Sequence, residues 1–135
     1  MPIALEIVSP DRLLLSQPVD MVVMPAFEGE MGVLPGHAPM IVMLQGGTIT
    51  LHEGGRPTGR LFVSGGFAEI TPERCTVLAD EAIPVAEVSR AAATTRLADA
   101  EAALAAADRL DTAAQDAGMR RVQSARAMAA AAEAP

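Results

Sequence analysis

At Pro84 the sequence changes character, and that break limits the fold more than any other feature. Residues before it alternate apolar and polar in short stretches punctuated by Gly and Pro, whereas those after it are mostly Ala with scattered Arg, Asp and Glu. The first pattern belongs to strands joined by tight turns. The second belongs to helix, because Ala has the best intrinsic helix propensity. Two parts are expected, residues 1–84 and residues 85–135.

In the first part, Ile3 to Val8, Leu13 to Ser16, Val19 to Met24, Met31 to Leu34, Met40 to Leu44, Thr48 to His52, Arg60 to Ser64, Phe67 to Thr71 and Cys75 to Ala79 read as strands. Gly46-Gly47, Glu53-Gly54-Gly55-Arg56, Gly65-Gly66 and Pro72-Glu73-Arg74 supply turns between them. So many short strands at this spacing imply a flattened antiparallel β-sandwich or barrel. No helix-length periodicity interrupts them, which excludes a parallel nucleotide-binding sheet.

In the second part, Val88 to about Asp108 is expected to be helical. Ala93, Leu97, Ala100, Leu104 and Ala107 recur at steps of four and three, drawing one seam of small and large residues. Glu87 with Arg90 and Arg96 with Asp99 are spaced as i,i+3 pairs, and Asp116 with Arg120 as an i,i+4 pair. Asp111 or Thr112 can cap a second helix running toward Met128, with Met119, Val122, Ala125 and Ala129 on its apolar side. The expected product is an antiparallel αα-hairpin. An Ala methyl removes only about 0.8 kcal/mol worth of apolar surface from water, against roughly 1.5–3 for a Leu or Val. Gly118 costs the second helix about 1 kcal/mol relative to Ala. The hairpin is therefore expected to form readily, dock weakly and be able to leave the sandwich without unfolding it.

Charge and composition narrow the function. The net charge is −7 and Lys is absent, so phosphate-backbone recognition of nucleic acid is excluded. Residues 1–84 hold four Arg against ten acidic residues, a net −6, and residues 85–135 hold six against seven, a net −1. The acidic sandwich favours a partner presenting Arg and Lys. Apolar runs such as Met40 to Leu44 fall well short of the roughly 18 residues that span a bilayer. No direct membrane insertion is expected, and the N-terminal stretch lacks the basic region of a secretory signal. Cys75, the only cysteine, alternates with apolar neighbours and reads as a buried structural thiol. No Walker-type loop, paired nucleophile and base, or complete metal cluster is present in the sequence. A non-catalytic binding module with no cofactor is the direct reading.

The stretch MPAFEGEMGVLPGHAPM, Met24 to Met40, supplies the candidate binding corner. Gly29, Gly32 and Gly36 permit positive φ or close backbone approach, while Pro25, Pro35 and Pro39 fix φ. Glu28-Gly29-Glu30 reads as a turn tip and Pro35-Gly36 as a second turn. Phe27, Met31, Val33 and Leu34 would tie the loop to the core, leaving Glu28, Glu30 and His37 outward. The same spacing also fits a plain connection, and His37 a turn or interface residue.

EGEMGVLPGHAPM resembles the signature loop of the epsilon subunit of F-type ATP synthases, whose usual form is EGexGilPgHapl. VSGGFAEITPERCTVLADEA and the Ala-rich end follow in the family's order. The resemblance implies a central-stalk rotor subunit at the cytoplasmic face of the bacterial inner membrane, held peripherally. Its sandwich would grip the gamma subunit and rest on the c-ring, coupling proton-driven rotation to the catalytic head. The contact loop would comprise Glu28, Gly29, Glu30, Met31, Gly32, Pro35, Gly36, His37 and Pro39, with Glu30 nearest the c-ring.

In some members of that family the hairpin reaches the alpha/beta head and inhibits hydrolysis, and some bind ATP through an I/L-D-x-x-R-A motif. Ala86-Glu87-Val88-Ser89-Arg90-Ala91 keeps Arg90 and Ala91 but has Ala and Glu at the motif's first two positions. Weak nucleotide binding would fall to Glu87 and Arg90 with Arg120, Arg121 and Arg126. Two readings of other classes stand beside the rotor: an autonomous adaptor scaffold, and a small-ligand enzyme or carrier using His37 and Glu28. Co-purification with gamma separates the first from the rotor, and a deep pocket would mark the second.

Overall fold

The computed structural model describes residues 2–133; the outermost positions of the two expected parts, 1, 134 and 135, lie outside the described residues. Ten strands come first: β1 Ile3–Val8, β2 Leu13–Val19, β3 Met21–Ala26, β4 Gly29–Val33, β5 Met40–Leu44, β6 Gly47–Glu53, β7 Arg56–Val63, β8 Gly66–Ile70, β9 Arg74–Ala79 and β10 Ala82–Pro84. A single 3-10 turn, Val85–Glu87, leads to two helices, α1 Arg90–Ala106 and α2 Thr112–Glu133.

The strands hydrogen-bond in the order β10-β7-β6-β3-β5-β8-β9-β1-β2, and β4 pairs β3 off this path. Inward residues alternate along each strand and meet in one core built from Ile3, Leu5 and Ile7 of β1, Val22 and Met24 of β3, Ile49 and Leu51 of β6, and their counterparts. No helix residue belongs to it. The sandwich therefore owns a complete core. Cys75 lies within it, fully buried, and burial pushes its thiol up to about 11, so it is no thiolate near neutrality.

Several local expectations need correction. The ladder between β1 and β9 is parallel, while the others are antiparallel. A parallel pair needs a long crossover, and the whole chain between these strands supplies it. The expected strand Val19 to Met24 is broken at Asp20: Val19 pairs with Ile3 at the end of β2, whereas Met21 opens β3. Asp20 turns there because its N–H donates to His52 O at 2.9 Å and its carboxylate accepts from Gly54 N at 2.7 Å. Pro18 falls within β2, an edge strand, where a missing N–H is tolerated.

The helices differ in detail too. Ser89 caps α1, its Oγ accepting from Ala92 N at 3.1 Å, so the helix starts at Arg90 rather than Val88. Asp111 caps α2 through Ala114 N at 3.0 Å, and α2 runs to Glu133, beyond the expected Met128. Ala93 and Ala100 of the α1 seam are buried, with Leu97 and Leu104 beside them. On α2 the buried face is Gly118, Val122, Ala125, Met128 and Ala131; Met119 points outward. A Cβ on Gly118 would lie 2.8 Å from Leu104 Cδ1. Gly118 thus lets the two helices approach closely, a role its helix propensity conceals.

None of the three expected intrahelical pairs is among the ion pairs of the described residues. Arg90 meets Glu133 at 3.3 Å, Arg126 meets Glu101 at 4.0 Å, and Arg96 meets Glu81. Glu87 sits in the 3-10 turn ahead of α1 and so shares no helical face with Arg90.

Candidate functional site: an open sheet face and an arginine cleft

The hairpin covers only one outer face of the sandwich, with α2 lying against β6 and β7. Three consecutive residues of β7, Leu61, Phe62 and Val63, are buried, because Phe62 points out of the sandwich into the helices. There it meets Ala93, Met128 and Ala131, with Ile83, Val85 and Val88 at the rim. Gly46 and Gln123 exchange two hydrogen bonds, Gly46 N to Gln123 Oε1 at 2.9 Å and Gln123 Nε2 to Gly46 O at 2.7 Å. Only glycine fits at 46, since a Cβ would lie 2.5 Å from Ser124 Cα. Arg96 donates both terminal guanidinium nitrogens to the Glu81 carboxylate, the second at 3.1 Å. That bonding raises the Arg96 pKa further above its usual value. The docking surface therefore contains one aromatic anchor, an amide clamp and an ion pair in addition to alanines.

The adjoining outer face, made by β5, β8 and β9, has no helix packed across it. Register aligns Met43 of β5 with Phe67 of β8 and Phe67 with Leu78 of β9, so three apolar side chains form a row across the sheet. Met43 is 56 % exposed and nearby Ile41 68 %. Phe27 joins them, its N–H donating to Met43 O at 3.1 Å, and is itself 54 % exposed. A groove of about 330 Å³ lies here, lined by Phe27, Glu28, Met31, Met40, Ile41 and Met43. Contiguous exposed apolar surface of this kind makes the face a candidate for binding.

The acidic corner borders that groove. Its hairpin turn is Phe27-Glu28, one residue earlier than expected, because Ala26 pairs with Gly29 and β4 starts there. Gly29 has φ 129°, a backbone region that favours glycine. Pro35-Gly36 forms the second turn, with Gly36 at φ 84° and His37 N donating to Leu34 O at 3.2 Å. Gly36 N donates to Pro72 O at 2.8 Å and ties the corner to the β8–β9 turn. Val33 alone of the four expected anchors is buried; Met31 is half-buried, and Phe27 and Leu34 are exposed. The two outliers belong to the outer surface, not to the core. Glu28, Gly29, Glu30, Gly32, Gly36 and Pro39 are exposed, with Pro35 and His37 partly so. His37 Nδ1 lies 2.8 Å from Ala38 O, a local contact without a partner base. No group of three metal-ligating side chains occurs among the described residues.

Between the sheet and α2 runs a cleft of about 460 Å³, where Met43 and Phe67 meet Asp80, Arg96, Arg120 and Arg121. Of the residues expected to hold a nucleotide, Arg120 and Arg121 line this cleft; Glu87, Arg90 and Arg126 do not. Sequence reasoning missed Arg96, Phe62 and the outer apolar row. Unbroken apolar runs at Leu61-Phe62-Val63 and Met40 to Leu44 carried the signal, since a strand apolar at successive positions has both faces to cover.

The chain is thus a two-part protein of one class, a β-sandwich followed by a helical hairpin, with one sheet face open. Residues 2–85 match the family described as ATP synthase, Delta/Epsilon chain, beta-sandwich domain. The chain is 68 % identical over 129 residues to the ATP synthase epsilon chain of Granulibacter bethesdensis, covering 96 % of each. It is 46 % identical over 135 residues to that of Gluconacetobacter diazotrophicus, covering 100 % of this chain and 96 % of the relative. A chain of the Euglena gracilis mitochondrial ATP synthase, solved as OSCP/F1/c-ring, superposes with TM-score 0.75 at 27 % identity, covering 96 % of this chain and 81 % of that one. A chain of the Tetrahymena thermophila central stalk/c-ring structure, at TM-score 0.66 and 13 % identity over 98 % and 97 %, shares the fold. The chain belongs to the ATP synthase epsilon chain family.

Proposed function

We propose that this chain is a non-catalytic rotor subunit of the central stalk, which hands c-ring rotation to the catalytic head through gamma. The uncovered row Met43-Phe67-Leu78 beside an exposed acidic corner carries the reading. Its apolar residues grip gamma, where area removed from water supplies the affinity. Glu28 and Glu30 rest on the polar loops of the c-ring, where an arginine would give a charge-assisted hydrogen bond. The subunit works peripherally, at the cytoplasmic face of the bacterial inner membrane. Among the described residues no helix is long and apolar enough to cross a membrane. The hairpin is a separable element, because the sandwich core is complete without it.

Met43→Glu and Glu30→Arg test the two contacts. Both side chains lie at the outer surface, so thermal unfolding of the isolated variants should match that of the parent. Met43→Glu should weaken gamma binding by about 2 kcal/mol, roughly 30-fold, the size of a buried hot spot turned charged. Glu30→Arg should loosen the c-ring and lower proton-coupled ATP synthesis in reconstituted enzyme. Parent-level gamma affinity and coupling in both variants would overturn the reading.

A further inference from the structure

The cleft between sheet and hairpin has walls from both parts of the chain. Met43 and Phe67 come from the open face, Arg96 from α1, and Arg120 and Arg121 from α2. The apolar row therefore runs without a break into a basic patch. Its charge is opposite in sign to the chain as a whole, which carries −7. Glu81 already engages Arg96. Arg120 and Arg121 are exposed and take part in no ion pair among the described residues, and Asp80 is the acidic residue facing them in the cleft.

We propose that a single segment of the stalk partner crosses this border, apolar residues on Met43 and Phe67 and a carboxylate on Arg120 and Arg121. The docked hairpin is then half of the binding site. This rests on the reading that the open face grips gamma, and adds the partner's chemistry and a regulatory consequence. An apolar segment with an acidic end fits the lining better than a free phosphate, which would leave Met43 and Phe67 against water. Moving the helices off the sandwich withdraws both guanidinium groups from the partner. By linkage, the factor by which a docked hairpin tightens partner binding equals the factor by which the bound partner tightens hairpin docking.

Calorimetric titration of the full chain with the purified gamma subunit tests this, at two salt concentrations. The double variant R120E/R121E should weaken binding by about tenfold at low salt, and the gap should narrow as salt screens the pair. R120Q/R121Q should fall between it and the parent. Hydrogen exchange of residues 112–133 in the parent should slow on adding gamma, and this slowing should be lost in R120E/R121E. If Met43→Glu lowers affinity while both double variants bind as the parent does, the composite site is wrong and the open-face reading survives. If Met43→Glu binds normally, the open-face reading itself is wrong. Magnesium ATP that occupies the cleft with gamma affinity untouched would assign these arginines to a nucleotide and overturn the proposal.

Discussion

Phe62→Ala releases the helical hairpin and leaves the sandwich folded. Phe62 is fully buried, yet it belongs to the cluster with Ala93, Met128 and Ala131 and not to the sandwich core. Truncating a buried Phe costs about 3–5 kcal/mol. Of the other members of that cluster only Met128 is both large and fully buried, and Phe62 is the buried anchor that the sandwich itself supplies. Each alanine methyl adds about 0.8 kcal/mol at full burial. The Gly46–Gln123 hydrogen bonds add roughly 1 kcal/mol each. The Arg96–Glu81 pair is more than a third exposed on both sides, so solvent screening leaves it about 1 kcal/mol or less. Hydrogen exchange reads the result by segment: amides of residues 90–133 should lose about a hundredfold or more in protection, while those of β1, β8 and β9 keep theirs. Equal loss in both parts would mean that they unfold as one unit.

Gly66→Ala should strike the sandwich itself. Gly66 sits at φ 135°, opposite Ala79 in the β8–β9 ladder. A Cβ there would lie 2.1 Å from Leu78 O and 2.9 Å from Ala79 Cα. Both obstacles are backbone of a paired strand, so relief requires separating β8 from β9 beside the core residues Ala68, Ile70, Cys75 and Val77. Strain at such a φ costs about 1–3 kcal/mol, and the ladder displacement should bring the total to roughly 3 kcal/mol or more. The melting temperature should then fall by about 12 °C or more. Gly54→Ala is the control: Gly54 has φ 62°, and a Cβ added to it would meet nothing within 4 Å, so only the strain contribution applies. Equal shifts from the two substitutions would contradict the steric account.

Much of this architecture is legible in the residues. Gly and Pro punctuation locates the turns, alternation locates the strands, and the composition break at Pro84 separates strands from helices. The acidic corner is legible for the same reason: Pro35-Gly36 and the Gly29 turn are local chemistry, and both fall within one residue of where they are expected. What could not be read is which surface covers which. Leu61-Phe62-Val63 and Met40 to Leu44 carry the same signal, yet the hairpin covers the outer side of the first while the second lies open. Periodicity reports that a strand has two apolar faces; it does not name their partners. Gly118 reads as a weak point in a helix until Leu104 is found opposite it, and Arg96 reads as a partner for Asp99 until Glu81 arrives from the sandwich. Each of these depends on contacts distant in the chain. The parallel β1–β9 ladder is of the same kind, since residues brought together across the sandwich leave no local trace.

Side-chain footprinting by hydroxyl radicals, on the isolated chain and on the assembled ATP synthase, tests the central claim that the open sheet face is the grip on the stalk. Met43, Phe67 and Phe27 should be labelled readily in the isolated chain and protected in the assembly, with Leu13 on the β2 edge, 55 % exposed, as a reference that does not change. Labelling of Met43 and Phe67 at the same rate in both states would contradict it.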